Sequence, residues 1–298
     1  NSGAEANEAA IKIARLYGHK KGIDTPSILV CEGSFHGRTM ATLSATGNRK
    51  VRAGFEPLLR GFSRIPFNDL DAVRHAAMND QNVVAILVEP VQGEGGIKIP
   101  DEGYLSALRE ICDDNGWLLM LDEIQTGLCR SGKWFAHQHA GIVPDVMTLA
   151  KALGNGMPIG ACVVNNAASQ VFGPGNHGST FGGNPLASAT ALSVLDVLER
   201  DNLAERASQS GALLKDLLAD ALSGKPGVKE VRGVGLLLAI ELEKSCSELV
   251  MKAADKGLLI NVTADTVIRL LPPLVTSEPE IREIATRLIP LVEEFLNT

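Results

Sequence analysis

Lys151 is the residue whose position asks for a chemical explanation. It closes the apolar run Val146–Ala150 (VMTLA) and is followed by Gly154, Gly156, Pro158 and Gly160. Most lysines simply emerge into solvent. A lysine partly desolvated at the end of a buried strand is different, because it loses proton affinity and becomes a nucleophile or Schiff-base former. Three other apolar runs also end in polar groups. Ser27–Cys31 (SILVC) is followed by Glu32-Gly33-Ser34-Phe35-His36-Gly37-Arg38, and Val83–Val88 (VVAILV) by Glu89-Pro90-Val91-Gln92-Gly93-Glu94. Trp117–Leu121 (WLLML) leads into Asp122-Glu123-Ile124-Gln125-Thr126-Gly127.

These residues need a scaffold. The runs are short and lack polar alternation, as expected of strands covered on both faces, and Ala161–Val164 is read the same way. Ser2 and Glu5 match a capping box, and Ala6, Ala9, Ala10, Ile13, Leu16 and Tyr17 recur at helical spacing behind it. Tyr104, Leu105, Leu108, Ile111 and Cys112 mark another amphipathic helix, ending near Gly116. The alternation predicts an α/β domain with a largely parallel sheet, in which functional groups gather at the carboxyl ends of strands. From Pro185 the pattern changes to helices at 185–199 and 203–222, then short strands, a helix near 247–256 and a last helix carrying Ile281, Ile284, Leu288, Leu291 and Phe295. Residues 1–200 therefore read as a large α/β domain and 201–298 as a small α+β domain.

Composition narrows the function. The 298 residues are 45% hydrophobic and 21% charged, with 28 basic against 35 acidic residues and a formal charge of -7. That balance argues against nucleic-acid binding, which needs clustered Lys and Arg, and no apolar run approaches the ~20 residues that span a bilayer. The five cysteines are scattered and form no CxxC pair, so neither a zinc ribbon nor a disulfide framework is expected, and a cytoplasmic setting follows. His137 and His139 lack a third ligand nearby, and no metal site is expected. An apolar strand ending in Asp122-Glu123 resembles a Walker B strand. The nearest Walker A sequence, Gly127–Trp134 (GLCRSGKW), places Trp134 where the magnesium-binding hydroxyl belongs, which excludes a nucleoside triphosphatase. Gly173–Gly178 fits G-x-G-x-x-G but follows no strand.

What remains is a lysine at one strand end, an acid at another, and two candidate anion sites: the helix start at Ser2-Gly3-Ala4 and the Gly-rich stretch His177–Pro185. Together these suit pyridoxal phosphate, with the lysine holding the aldehyde and the acid keeping the ring nitrogen protonated.

The motifs SGAEANEAAIKIAR, SFHGRT, VEPVQGEGG, LDEIQTG, TLAKALGNGMPIGA, HGSTFGGNPLA and RLLPPL together resemble the class-III pyridoxal-phosphate aminotransferases, in the family's order and over nearly the whole chain. The resemblance implies the fold-type-I transferase architecture and a role for each matching residue. Lys151 would be the Schiff-base and proton-shuttling residue, and Asp122 the partner of the ring nitrogen. Gln125 would meet the ring hydroxyl, while Ile124 and Phe35 cover the two ring faces. Gly3 and Ala4 would give phosphate-binding amides, and Glu123 falls within the cofactor motif. Arg38 and Arg269 would hold substrate carboxylates, and Glu94 would neutralise Arg269 until an α-carboxylate displaces it. Glu89 would orient neighbouring polar groups or serve the structure. Ser179 and Thr180 would reach a neighbouring subunit's site, which implies a homodimer with shared active sites. HGSTFGGNPLA and RLLPPL point to transfer of the terminal amine of N-acetylornithine or N-succinyl-diaminopimelate to 2-oxoglutarate, a step of arginine or lysine biosynthesis. Ornithine or 4-aminobutyrate as donor is the alternative within the family, and a non-catalytic cofactor-binding module the alternative outside it. Family members carry a further N-terminal segment before Asn1, so the chain is expected to be an N-terminally shortened form.

Overall fold

The structure is a computed structural model that describes residues 1–297, apart from the side chains at 166 and 167. The chain divides into two compact units. The first comprises Asn1–Gly93, Pro100–Gly127 and Ala136–Val197. Its strands are β1 (Ser27–Cys31), β2 (Phe62–Ile65), β3 (Val83–Val88), β4 (Leu118–Asp122), β5 (Val146–Leu149) and β6 (Ala161–Val164). They form one sheet in the order β2-β1-β3-β4-β5-β6. All neighbouring pairs are parallel except β5 with β6. Its helices are α1 (Gly3–Lys20), α2 (Met40–Ala45), α3 (Arg49–Arg52), α4 (Leu70–Asn79), α5 (Tyr104–Asn115) and most of α6 (Pro185–Arg200).

The apolar runs lack alternation because both sheet faces are covered. Ile28, Val30, Leu118, Met120 and Val146 point to one side and pack with Ala10, Ile13 and Ala14 of α1. Leu29, Ile86, Leu119 and Leu121 point to the other and pack with Leu105, Leu108 and Cys112 of α5. Strand β6 departs from that expectation: Val163 and Val164 are exposed at the sheet edge. Strand β2 was not legible, since Phe-Ser-Arg-Ile is neither an apolar run nor a clean alternation. Half of the expected capping box at α1 is present: Ser2 Oγ accepts from the Glu5 amide at 3.2 Å, while the Glu5 carboxylate pairs with Asn1 instead.

The second unit holds Glu94–Ile99, Leu128–Phe135 and Leu198–Thr298. Its strands β7 (Val228–Val234), β8 (Leu237–Leu242), β9 (Asn261–Thr263) and β10 (Val267–Leu270) form an antiparallel sheet in the order β7-β8-β10-β9. Helices α7 (Leu203–Leu222), α8 (Leu249–Asp255) and α9 (Glu278–Leu296) cover it. Leu214, Leu218, Leu238, Ile240, Ile268, Leu288 and Val292 are central to its core. Two short segments from the middle of the chain belong here through arginine bonds to backbone carbonyls. Arg232 Nε donates to Ile97 O at 2.8 Å, and Arg130 Nη1 to Leu236 O at 3.0 Å.

Gly211 marks where α7 approaches the β7–β8 turn. A Cβ there would lie 1.9 Å from the Gly235 carbonyl oxygen, which no backbone can tolerate without moving. Gly211→Ala should therefore destabilise the protein by about 2 kcal/mol or more, as overpacking does. Urea unfolding checks this, and a midpoint equal to wild type would show that the turn yields freely.

Candidate active site

Strands β1, β3, β4 and β5 are parallel and adjacent, so their carboxyl ends line one edge of the sheet. Asp122 terminates β4 and is buried. Its Oδ2 accepts from Asn7 Nδ2 at 2.8 Å and lies 2.8 Å from His36 Nδ1, and its Oδ1 accepts from the Ile124 amide at 3.1 Å. A carboxylate only accepts, so His36 Nδ1 carries the proton in this pair. His36 Nε2 is buried and has no hydrogen-bond partner among the described residues. His36 stands among the polar residues after the β1 run but has no assigned role in the sequence-derived site, and Asn7 and Thr148 have none either. The signal that points to Asn7 is a polar amide inside the buried alanine stripe of α1.

Lys151 stands two residues beyond β5 with a positive φ of 42°. Gly160, further along the same loop, approaches the start of α1 so closely that a Cβ would sit 2.2 Å from Ser2 O. Lys151 is exposed in the single chain.

Gly3 and Ala4 occupy the first turn of α1, where amides have no intrahelical acceptor. Ile124 packs on Gly3, and a Cβ at Gly3 would lie 2.7 Å from Ile124 Cδ1. Gln125 packs on Gly93 in the same way. The Phe35 amide donates to Glu89 Oε1 at 2.9 Å, and Arg38 lies over the Phe35 ring, 5.7 Å from its centre. Ser179 and Thr180 are exposed, and Ser179 Oγ accepts from Asn1 Nδ2 at 2.9 Å.

Glu123 is spoken for. Its buried carboxylate accepts from Thr126 Oγ1, the amides of Ala136 and His137, and His137 Nδ1. Four donors fill a carboxylate's acceptor positions, so Glu123 holds its own loop rather than offering oxygens to a ligand. Glu89 is buried as well and takes a second amide, from Gly93 at 3.0 Å. Burial pushes its carboxyl up to about 7; His36 and the two amides pull against this, while Asp122 adds to it.

In the second unit, Arg269 Nη1 and Glu94 Oε1 form an ion pair at 2.6 Å. Arg269 Nη2 also donates to Asn261 Oδ1 at 2.8 Å. Among the described residues no group of three or more His, Cys, Asp or Glu side chains could hold a metal ion, and no helix is long and apolar enough to cross a membrane.

The class-III aminotransferase profile matches residues 1–292. Acetylornithine aminotransferase of Nitrosomonas europaea is 55% identical over 298 residues, which cover 100% of this chain and 76% of that protein. Acetylornithine aminotransferase of Methanothermobacter thermautotrophicus is 47% identical over 94% of this chain and 70% of its own length. Among solved structures, an ornithine aminotransferase of Toxoplasma gondii described with pyridoxal phosphate at its active site superposes with a TM-score of 0.95. It is 41% identical and covers 100% of this chain and 72% of its own. Acetylornithine aminotransferase of Elizabethkingia anophelis gives a TM-score of 0.86 at 37% identity, over 99% of this chain and 73% of its own. The chain belongs to the class-III aminotransferases, a pyridoxal-phosphate-dependent family of transaminases. The residues present fit that cofactor. The first turn of α1 offers amides to an anion, Asp122 Oδ1 accepts from a single donor among the described residues, and an amine stands at the end of the next strand.

Glu89 gives the site a measurable pH signature. Between its ordinary 4.5 and about 7, the folded state holds a proton that the unfolded state releases. Stability therefore falls as pH rises through that window. Glu89→Gln should flatten the decline that wild type shows between pH 5 and 8, a difference of up to about 3 kcal/mol. Urea unfolding across that range checks it; parallel curves for the two proteins would show that Glu89 does not carry the slope.

Proposed function

We propose that this transaminase moves the terminal amine of N-acetylornithine, and of the related N-succinyl-diaminopimelate, to 2-oxoglutarate. The products are the semialdehyde and glutamate. Such a reaction belongs to arginine or lysine biosynthesis in the cytoplasm. Relatives named acetylornithine aminotransferase, 45–55% identical over 94% or more of the chain, support the donor. The observation that carries the two-donor reading is the Arg269–Glu94 pair at 2.6 Å. Ornithine as donor is the second reading, favoured by the T. gondii neighbours. On this reading residues 1–200 form the cofactor-binding domain and 201–298 the smaller domain.

Bound pyridoxal phosphate supplies an aldehyde for the amine and a ring that withdraws electrons from the adjacent carbon. The protein's residues supply the rest. The amides of Gly3 and Ala4 hold the phosphate at the positive end of α1. Phe35 and Ile124 would cover the ring faces, and Gln125 would orient the ring hydroxyl. Asp122 holds the proton on the ring nitrogen, and Lys151 Nζ takes and returns the proton at the substrate carbon. Arg38 binds a distal carboxylate, for which a planar guanidinium is suited.

Glutamate reacts at its α-amine, so its α-carboxylate accompanies the reacting group. The acylated diamine reacts at its far amine and brings no carboxylate there. A free arginine suits the first and is left unpaired by the second, at a cost of several kcal/mol if buried. Glu94 meets that need by neutralising Arg269 until an α-carboxylate takes its place.

We also propose a homodimer with shared sites, since Ser179 and Thr180 are exposed in the single chain beside Phe181, itself 72% exposed. Mixing Lys151→Ala and Thr180→Val subunits should regain activity in hybrids that contain one unmutated site. Hybrids confirmed by mass but no more active than either parent would count against sharing. A donor panel tests the reaction itself, with single-turnover rates for N-acetylornithine, N-succinyl-diaminopimelate, ornithine, 4-aminobutyrate and glutamate. Glu94→Gln should slow the acylated diamines about tenfold or more and leave glutamate unchanged or faster. Equal losses with all donors would remove the switch, and a preference for ornithine would replace the donor.

A further inference from the structure

Asn7 is fully buried, and all its side-chain hydrogen-bonding groups reach site elements distant in sequence. Its Nδ2 donates to Asp122 Oδ2 and to the His36 carbonyl, both at 2.8 Å. Its Oδ1 accepts from Thr148 Oγ1 at 2.8 Å. Asp122 Oδ2 and the His36 carbonyl can only accept, so the NH2 group must face them and Oδ1 must face Thr148, whose hydroxyl then donates. Asn7 also lies one turn beyond Gly3 on α1, the helix whose first amides are read above as the phosphate holder.

We propose that Asn7, braced by Thr148, is a positioning residue that aims Asp122 at the cofactor ring and ties that acid to the phosphate-holding end of α1. One rigid helix then sets both grips on the cofactor: the amides of its first turn and, through Asn7, the carboxylate at the end of β4. The span between phosphate and ring nitrogen is fixed in the cofactor, so the protein needs a fixed span to match it, and a helical turn is a stiff ruler. The proposal rests on the reading of Asp122 as the ring-nitrogen acid.

The test compares wild-type holoenzyme with Asn7→Leu, Asp122→Ala, Thr148→Val and Thr148→Ser. Cofactor release is followed by loss of the visible band, and single turnovers give the rate and KM for the amino donor. Asn7→Leu keeps the branched outline of the side chain and removes the amide. It should release cofactor about tenfold faster and slow the half-reaction by a similar factor with donor KM unchanged, the worth of one hydrogen bond to a charged group. It should also shift the pH at which the visible band changes. Thr148→Val should reproduce part of this loss and Thr148→Ser, which keeps the hydroxyl, should recover most of it. A merely structural role would lower thermal stability without moving the band or separating Val from Ser. Should Asn7→Leu fail to fold, the Thr148 pair decides alone. Wild-type release and spectrum in Asn7→Leu, or in Thr148→Val when that pair decides, alongside an impaired Asp122→Ala would overturn the proposal and leave Asp122 standing. An unimpaired Asp122→Ala would overturn both.

Discussion

A carboxylate taken out of water costs several kcal/mol unless the protein replaces its hydration with donors. Asp122 imposes that constraint at the end of a central strand. The donors that meet it come from three places: Asn7 on α1, His36 in the loop after β1, and the Ile124 amide in its own turn. Satisfying one acid therefore fixes how α1 docks and where the β1 loop runs. Close backbone approaches follow from the same docking. Gly3 admits Ile124, and Gly160 admits the start of α1.

Three carboxylates are buried at this end of the sheet, and the chain treats each differently. Glu123 is saturated by four donors and locks its loop to Ala136 and His137. Glu89 has two backbone amides and is pushed toward neutrality by burial. Asp122 has three donors on its two oxygens, which leaves acceptor capacity for a further proton donor. Identical chemistry is thus divided by local supply of N–H and O–H groups into a structural clamp, a titrating group and an acid open to a ligand.

Much of this was legible in the sequence. The apolar runs became β1, β3, β4 and β5 because strands covered on both faces must be apolar throughout, and the polar residues after them fell on one edge because those strands are parallel. What escaped has a physical reason in each case. Asn7 reads as one polar residue in a helix, and only the pairing of α1 with β4 and β5 reveals its partners. Strand β2 is half-buried and mixed in character. The place of Glu94–Ile99 and Leu128–Phe135 in the second unit depends on arginine bonds to carbonyls far away in sequence, which no local pattern announces. Exposure of Lys151 is likewise a property of the surrounding surface, not of its neighbours in the chain.

The Asn7 contacts also set an order of events when the chain is made. Its partners Asp122 and Thr148 lie 115 and 141 residues downstream. On a ribosome adding roughly 5–20 residues per second, α1 waits on the order of ten seconds before either exists. Closing loops of that length is entropically costly and slow compared with forming a local helix. Helix α1 thus cannot be seated when it is made, and its alanine-rich face stays uncovered while the sheet that will receive it is still being extruded.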